Sequence, residues 1–347
     1  MGELRKDPFM DRWVILAEER GARPTAITAT DAAADRSTCP FCEGHEGETE
    51  AEIMAVRDPG TAPDTPGWQI RVVPNRYPAL RPDAAPVENE SDLLQRRTAA
   101  GHHEVIIEGV SHTRSISEMP SSEFRQVLQV YRERYQQLAK NSALRSAVLI
   151  KNVGAAAGAS IEHSHSQLIA TPVLPMLLTR ELDSARRWQA EHSADPKNSE
   201  DSKSSLWSHW LAGELEDGRR VVVDSDEVVV VCPYAPRFPF ETWLLPKQQQ
   251  SHFERTSDTT LEAMADRLHE CIRAIEACLG DAPYNYVVHS APLGEDPTEL
   301  YHWRIEILPR VTRVAGYEQA TGLYINPVLP ESSALQLREA WPTGATP

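Results

Sequence analysis

The most informative stretch of this chain is Asn152-Val153-Gly154-Ala155-Ala156-Ala157-Gly158-Ala159-Ser160-Ile161-Glu162-His163-Ser164-His165-Ser166-Gln167. Its first part is rich in small residues, so backbone N–H groups there can approach phosphate oxygens closely, as glycine-rich anion sites do. From His163 the sequence reads as a strand running to Ala170, in which residues i and i+2 point to one face. Two imidazoles and the Gln167 amide would then line one surface of a sheet. A lone H-x-H is a weak signal, more often structural or a metal pair. A small-residue loop, H-x-H and a glutamine within sixteen residues is far stronger.

Outward from this stretch the chain runs twice through one order of elements. The first half reads as strands at Ile70–Val73 and Glu104–Glu108, a helix near Ser121–Lys140, a strand at Ala147–Lys151, then the histidine strand. The second half reads as strands at Glu227–Cys232 and Glu241–Leu245, a helix near Thr259–Leu279, then strands at Tyr284–His289 and Tyr301–Leu308. The helices are read from apolar spacing near 3.6 and the strands from short β-branched runs bounded by proline or glycine. Hairpin-like strand pairs joined to helices predict an α+β fold with a mainly antiparallel sheet and flanking helices. The expected divisions are residues 1–175, a connector over 176–220, and a second half over 221–347. Glu191–Ser205 and Pro82–Gly101 read as polar loops without chemistry.

The 347 residues allow about two domains at the usual domain size. With 51 acidic and 35 basic residues the formal charge is −16, which argues against a general binder of nucleic acid or anionic membrane. Apolar runs such as Val228–Cys232 fall far short of a bilayer span, and Met1–Asp7 lacks the apolar stretch of a signal peptide. Five scattered cysteines read as reduced. A cytoplasmic protein is expected.

Cys39-Pro40-Phe41-Cys42 has the spacing that lets two thiolates share one zinc, but two further ligands are needed. Taken alone the pair could equally be redox-active or incidental. Together, this C-x-x-C, Val73-Pro74-Asn75-Arg76-Tyr77-Pro78-Ala79-Leu80, Asn152–Ser160 and the H-x-H-x-Q segment resemble galactose-1-phosphate uridylyltransferases of the histidine-triad superfamily. Arg20-Gly21-Ala22-Arg23-Pro24, Phe240-Glu241-Thr242 and Gly316-Tyr317-Glu318 add to the likeness, which spans roughly residues 3 to 330. The doubled order of elements agrees with a family built from two histidine-triad-like halves.

The resemblance implies ping-pong transfer of a nucleoside monophosphate between a nucleotide sugar and a hexose 1-phosphate. His165 would be the nucleophile, and Gln167 would donate to a nonbridging phosphoryl oxygen. Cys39, Cys42, His112 and His163 would hold a structural zinc, with His102 and His103 as rival ligands that match no family position. Asn75, Arg76, Asn152, Gly158 and Ser160 would hold the nucleotide. Arg20 and Arg23 would reach substrate phosphate, in keeping with a homodimer, and Tyr317 and Glu318 would meet sugar hydroxyls. The second, iron-type metal site of some members is not expected: Glu181 and His289 could match it, but His302-Trp303-Arg304-Ile305-Glu306-Ile307 lacks a second H-x-H. Cys232, Cys271 and Cys278 read as core residues.

UDP-glucose with galactose 1-phosphate is the first-choice substrate pair. The serines of His163-Ser164-His165-Ser166-Gln167 also resemble the family's ADP-glucose phosphorylase branch, with phosphate as acceptor. A non-catalytic nucleotide-binding protein is the reading from a different class.

Overall fold

The computed structural model describes residues 2–19, 38–85, 91–193 and 205–342. Its strands are β1 (Glu3–Asp7), β2 (Arg12–Leu16), β3 (Met54–Arg57), β4 (Trp68–Pro74), β5 (His102–Ile107), β6 (Ser146–Val153) and β7 (His165–Thr171) in the first half. They continue with β8 (Val221–Asp224), β9 (Val228–Val231), β10 (Thr242–Pro246), β11 (Tyr284–His289), β12 (Arg304–Pro309) and β13 (Tyr324–Asn326). The helices are α1 (Ser121–Leu138), α2 (Met176–Ser193), α3 (Leu206–Asp217), α4 (Asp258–Leu279), α5 (Gly316–Thr321) and α6 (Pro330–Glu339).

Alternation along the strands sends side chains to two faces, and each face finds its own cover. Ile70, Val72 and Ile106 join the buried cluster containing Phe124, Val127, Leu128, Tyr131 and Tyr135 of α1 and Leu261, Met264, Leu268 and Ile272 of α4. Those helical residues recur at three- and four-residue steps, the stripe a helix needs to lie on a sheet. Val73, Val105 and Ile107 point the other way and pack with Cys39, Phe41 and Trp68. In the second half the corresponding face carries Phe9, Trp207, Trp243 and Leu245.

One antiparallel sheet of ten strands runs through the molecule in the order β3-β4-β5-β7-β6-β11-β12-β10-β9-β8. Read from both ends toward the middle, the two five-strand sets match: β3 with β8, β4 with β9, β5 with β10, β7 with β12 and β6 with β11. The doubled order seen in the sequence is thus a doubled topology, α+β with α1 and α4 as equivalent flanking helices. The halves meet where β11 pairs with β6, from Tyr284↔Val153 to Val288↔Leu149. A separate sheet, β1-β2-β13, ties the N-terminus to residues near the C-terminus.

Several local expectations shift. The histidine strand starts at His165, with His163 and Ser164 just ahead of it. The strand expected from Tyr301 starts at Arg304. The connector holds α2 and α3, whose apolar residues Leu178, Leu182, Ala185, Leu206 and Trp207 are buried. The middle of the polar tract between them lies outside the described residues.

Candidate active site

Cys39 and Cys42 sit on a turn closed by the Cys42 N–H donating to the Cys39 carbonyl, which brings both sulfurs to one side. The Cys42 sulfur lies 3.3 Å from His112 Nδ1 and 3.5 Å from His163 Nδ1, and the Cys39 sulfur 3.8 Å from His163 Nδ1. All four donor atoms lie within 4.8 Å of one another. Tetrahedral zinc with its usual bond lengths separates sulfur from nitrogen by about 3.6 Å, so the set fits the ion. His163 Nε2 donates to the Gly109 carbonyl at 2.8 Å, which leaves Nδ1 with its lone pair toward the sulfurs. Burial pulls the His163 pKa down to about 4, so the ring is neutral, as a ligand must be. Zinc bound there would cross-link the Cys39 turn, the His112 loop and the approach to β7, a structural service. His102 and His103 lie outside this cluster.

Two residues on, His165 is buried, with its ring against Phe41 at a centroid distance of 5.1 Å. Its Nδ1–H donates to the His163 carbonyl at 2.8 Å, so Nε2 keeps the lone pair. Burial lowers its pKa below the ordinary histidine value. A neutral imidazole with a fixed tautomer is a nucleophile that needs no separate base.

Behind this strand, on the helix side of the sheet, lies a fully buried charged network. Lys151 pairs with Glu108; its ammonium also reaches Ser164 Oγ at 2.8 Å and the His165 carbonyl at 3.3 Å. Glu108 accepts in addition from the hydroxyls of Ser164, Ser166 and Tyr131. The Lys151 charge and these hydroxyls hold its pKa below the usual carboxylate value despite burial. The two serines that interleave the histidine motif are therefore anchors for the strand.

The small-residue loop is a short 3-10 turn, Ala155–Ala157, bracketed by glycines. Gly154 and Gly158 have φ of +81° and +92°, a region side chains avoid. Asn285 of β11 holds this loop, donating to Asn152 Oδ1 at 2.7 Å and to the Ala157 carbonyl at 2.8 Å. Gln167 meets His103 across the sheet at 2.8 Å, and His103 in turn stands 3.1 Å from Asn75 Nδ2. Asn285 and the Gln167–His103 contact were not read from sequence; both depend on which strands become neighbours. Arg76 is exposed and donates to the Glu48 carbonyl at 3.3 Å, and Ser160 is exposed on the loop.

The sequence model of the galactose-1-phosphate uridyl transferase N-terminal domain matches residues 2–175, and that of the C-terminal domain matches 181–315. The chain belongs to the galactose-1-phosphate uridylyltransferase family. It is 34% identical to an ADP-glucose phosphorylase of Arabidopsis thaliana, over 97% of this chain and 92% of that one. It is 26% identical to a Thermotoga maritima galactose-1-phosphate uridylyltransferase, over 98% of both chains. The crystal structure of an Arabidopsis thaliana ADP-glucose phosphorylase with bound ADP-glucose superimposes with a TM-score of 0.80, at 32% identity and 98% coverage of both chains.

Other residues singled out by the uridylyltransferase resemblance fare unevenly. Arg20 and Arg23 lie outside the described residues. Tyr317 and Glu318 lie on α5, where the Glu318 carboxylate accepts from the Ala315 N–H at 3.0 Å and caps the helix. Among the described residues no hydrogen bond or ring contact joins either to the His165 region. Glu181 is paired with Arg304 through two bonds of 2.7 and 3.2 Å, and His289 donates to Glu306 at 2.7 Å. Among the described residues the cysteine–histidine set is the one group of such side chains arranged to hold a metal. Among the described residues no helix is long and apolar enough to cross a membrane.

Proposed function

We propose that this protein is an ADP-glucose phosphorylase-type adenylyltransferase, working through a covalent intermediate on His165. The observation that carries the chemistry is the His165 ring, with Nδ1–H committed to a backbone carbonyl and Nε2 left as the nucleophile. The 34% identity to an ADP-glucose phosphorylase, against 26% to the Thermotoga maritima uridylyltransferase, favours an adenine donor over the uridine donor placed first from sequence.

In this reading Nε2 attacks the α-phosphorus of ADP-glucose. The bond to the β-phosphate oxygen breaks, glucose 1-phosphate leaves as a stable anion, and adenylyl-His165 remains. Phosphate then attacks the same phosphorus, releasing ADP and restoring the imidazole. Because the leaving group needs little protonation, the site supplies mainly orientation and charge stabilisation. Gln167 donates to a nonbridging oxygen. Asn75, Arg76, Asn152, Gly158 and Ser160 hold the nucleotide; Arg20, Arg23, Tyr317 and Glu318 serve the phosphate and sugar ends. Residues 1–175 carry the chemistry, 176–220 connect, and 221–347 support the site from β11. A cytoplasmic homodimer is the proposed working form.

The test pairs substrates: ADP-glucose with phosphate against UDP-glucose with galactose 1-phosphate. Faster turnover of the first pair supports the reading, and faster turnover of the second returns the uridylyl assignment. Donor labelled at the α-phosphate should leave acid-labile label on the protein without acceptor. His165→Ala should abolish that labelling, and Gln167→Ala should slow it by a factor on the order of 100. Labelling of His165→Ala would refute the covalent mechanism.

A further inference from the structure

We infer that His103 is the positioning residue that turns the Gln167 amide so that its NH2 end faces the phosphoryl group. The inference rests on the reaction proposed above and adds a residue to it.

A carboxamide has two ends of nearly equal size and opposite polarity. Only the NH2 end can donate to a phosphoryl oxygen; the carbonyl end in its place would repel the charge that grows there. Nothing in glutamine itself selects between the two orientations, so a neighbour must do so.

His103 is placed for this by strand register. Gln167 stands opposite Val105, and His103 opposite Ile169, where β5 pairs with β7. His103, Val105 and Gln167 therefore share one face, with His103 and Gln167 on the diagonal, within reach of long side chains. The ring's Nε2 lies 2.8 Å from Gln167 Oε1.

The ring's own orientation is set by the backbone. The Ala79 N–H, which can only donate, points at His103 Nδ1 from 3.1 Å. Nδ1 must therefore carry the lone pair, and a neutral imidazole then has its proton on Nε2. Nε2–H donates to Gln167 Oε1, that oxygen is occupied, and the amide nitrogen is left to face the other way. Asn75 Nδ2 competes for the same ring nitrogen from 3.1 Å. Its own orientation is fixed by the Tyr77 N–H donating to Asn75 Oδ1 at 2.8 Å. With the proton on Nε2 two donors meet at Asn75 Nδ2; with it on Nδ1 two donors meet at Ala79 and Gln167 Oε1 also faces a lone pair, so the first arrangement leaves fewer groups unsatisfied. A backbone amide thus fixes a histidine tautomer, and the tautomer fixes a glutamine rotamer. The segment Asn75–Leu80 acts on the reaction through this relay, in addition to any contact with nucleotide.

The experiment combines a direct and a kinetic readout on the full chain. In protein with 15N-labelled histidine, the His103 resonances, assigned by their loss in His103→Phe, should report the Nε2–H tautomer. A Nδ1–H tautomer would overturn the inference whatever the protein's activity. In single-turnover labelling from ADP-glucose, His103→Phe should lower the rate on the order of tenfold, with little change in the ADP-glucose concentration giving half the maximal rate. In a Gln167→Ala background the same substitution should change the rate less than about twofold, because the amide it orients is gone. Full additivity of the two substitutions would mean that His103 acts through packing alone, and the inference would fall. Absence of label on the unaltered protein with either nucleotide sugar would instead refute the proposed function, leaving the tautomer measurement to decide the role of His103 on its own.

Discussion

Replacing Lys151 by methionine tests how far the network behind the strand of the proposed nucleophile His165 supports both fold and chemistry. Lys151 and Glu108 are each about 1% exposed, so the substitution leaves a carboxylate in the core with three hydroxyl donors and no counter-charge. Breaking one side of such a buried pair costs about 3–5 kcal/mol. With an unfolding entropy of about 2.1 cal/mol/K per residue, a loss of ~4 kcal/mol from a chain of this length lowers Tm by roughly 5 °C. The double variant Lys151→Met/Glu108→Gln removes both charges and should recover about half of that loss or more.

The pH dependence has a definite sign. In the native protein Glu108 has a lowered pKa, so its contribution is present above the unfolded carboxylate value and is lost as pH falls through the folded one. In Lys151→Met the uncompensated carboxylate has a raised pKa, so its cost develops as pH rises above the unfolded value. The Tm gap between the two proteins should therefore be widest near pH 7 and narrow toward pH 4 in calorimetry. Because the Lys151 ammonium also donates to the His165 carbonyl, labelling should slow even at temperatures where the variant is folded. An unchanged Tm, a double variant no better than the single one, or a gap that widens on acidification would refute the reasoning.

Cys39→Ser should reduce bound zinc from about one per chain and lower thermal stability, since metal binding is linked to folding; full metal occupancy measured by elemental analysis would remove Cys39 from the ligand set. Asn285→Ala removes both bonds that hold the small-residue loop and should raise KM for the nucleotide sugar about tenfold, the equivalent of one to two hydrogen bonds, with zinc content unchanged. Sedimentation at micromolar concentration should give a dimer, and a fully active monomer would refute that assembly.

Much of this was legible in the sequence because it is local. The stripe Phe124, Val127, Leu128 and Tyr131 states its own helix, and Val228–Val231 its own strand. The zinc set could be assembled only through family resemblance, since nothing in the spacing joins Cys39 to His112 and His163. Helix α2 carries Leu178, Leu182 and Ala185 at helical steps, a stripe too brief among polar neighbours to stand out, so residues 176–220 read only as a connector. Strands β3 and β8 are four residues each, too short to show a period. The His103–Gln167 contact was hidden for a stronger reason. It exists only because β5 and β7 are neighbours, and that order places side by side two segments separated by a helix and another strand. The doublet His102-His103 drew attention as rival metal ligands, a reading that considered residue type without the sheet that aims it.

The seam between β6 and β11 has a consequence for how this chain can be divided. A fragment ending near residue 175 would carry the proposed nucleophile His165, Gln167 and the cysteine–histidine set, but its β6 would become an open edge. Ala147, Leu149 and Val153 would keep α1 but lose the neighbours in their buried cluster that come from the second half, and a row of unsatisfied amides and carbonyls would run one strand away from His165, a template for pairing with another copy. Asn285 would leave with the other fragment, releasing the loop it clasps. The two halves resemble separable modules, yet excising either would trade a solvent-shielded centre strand for an adhesive border. Any lineage that doubled such a unit and then let β6 and β11 join would have made the second copy indispensable to the first, even where that copy kept no nucleophile of its own.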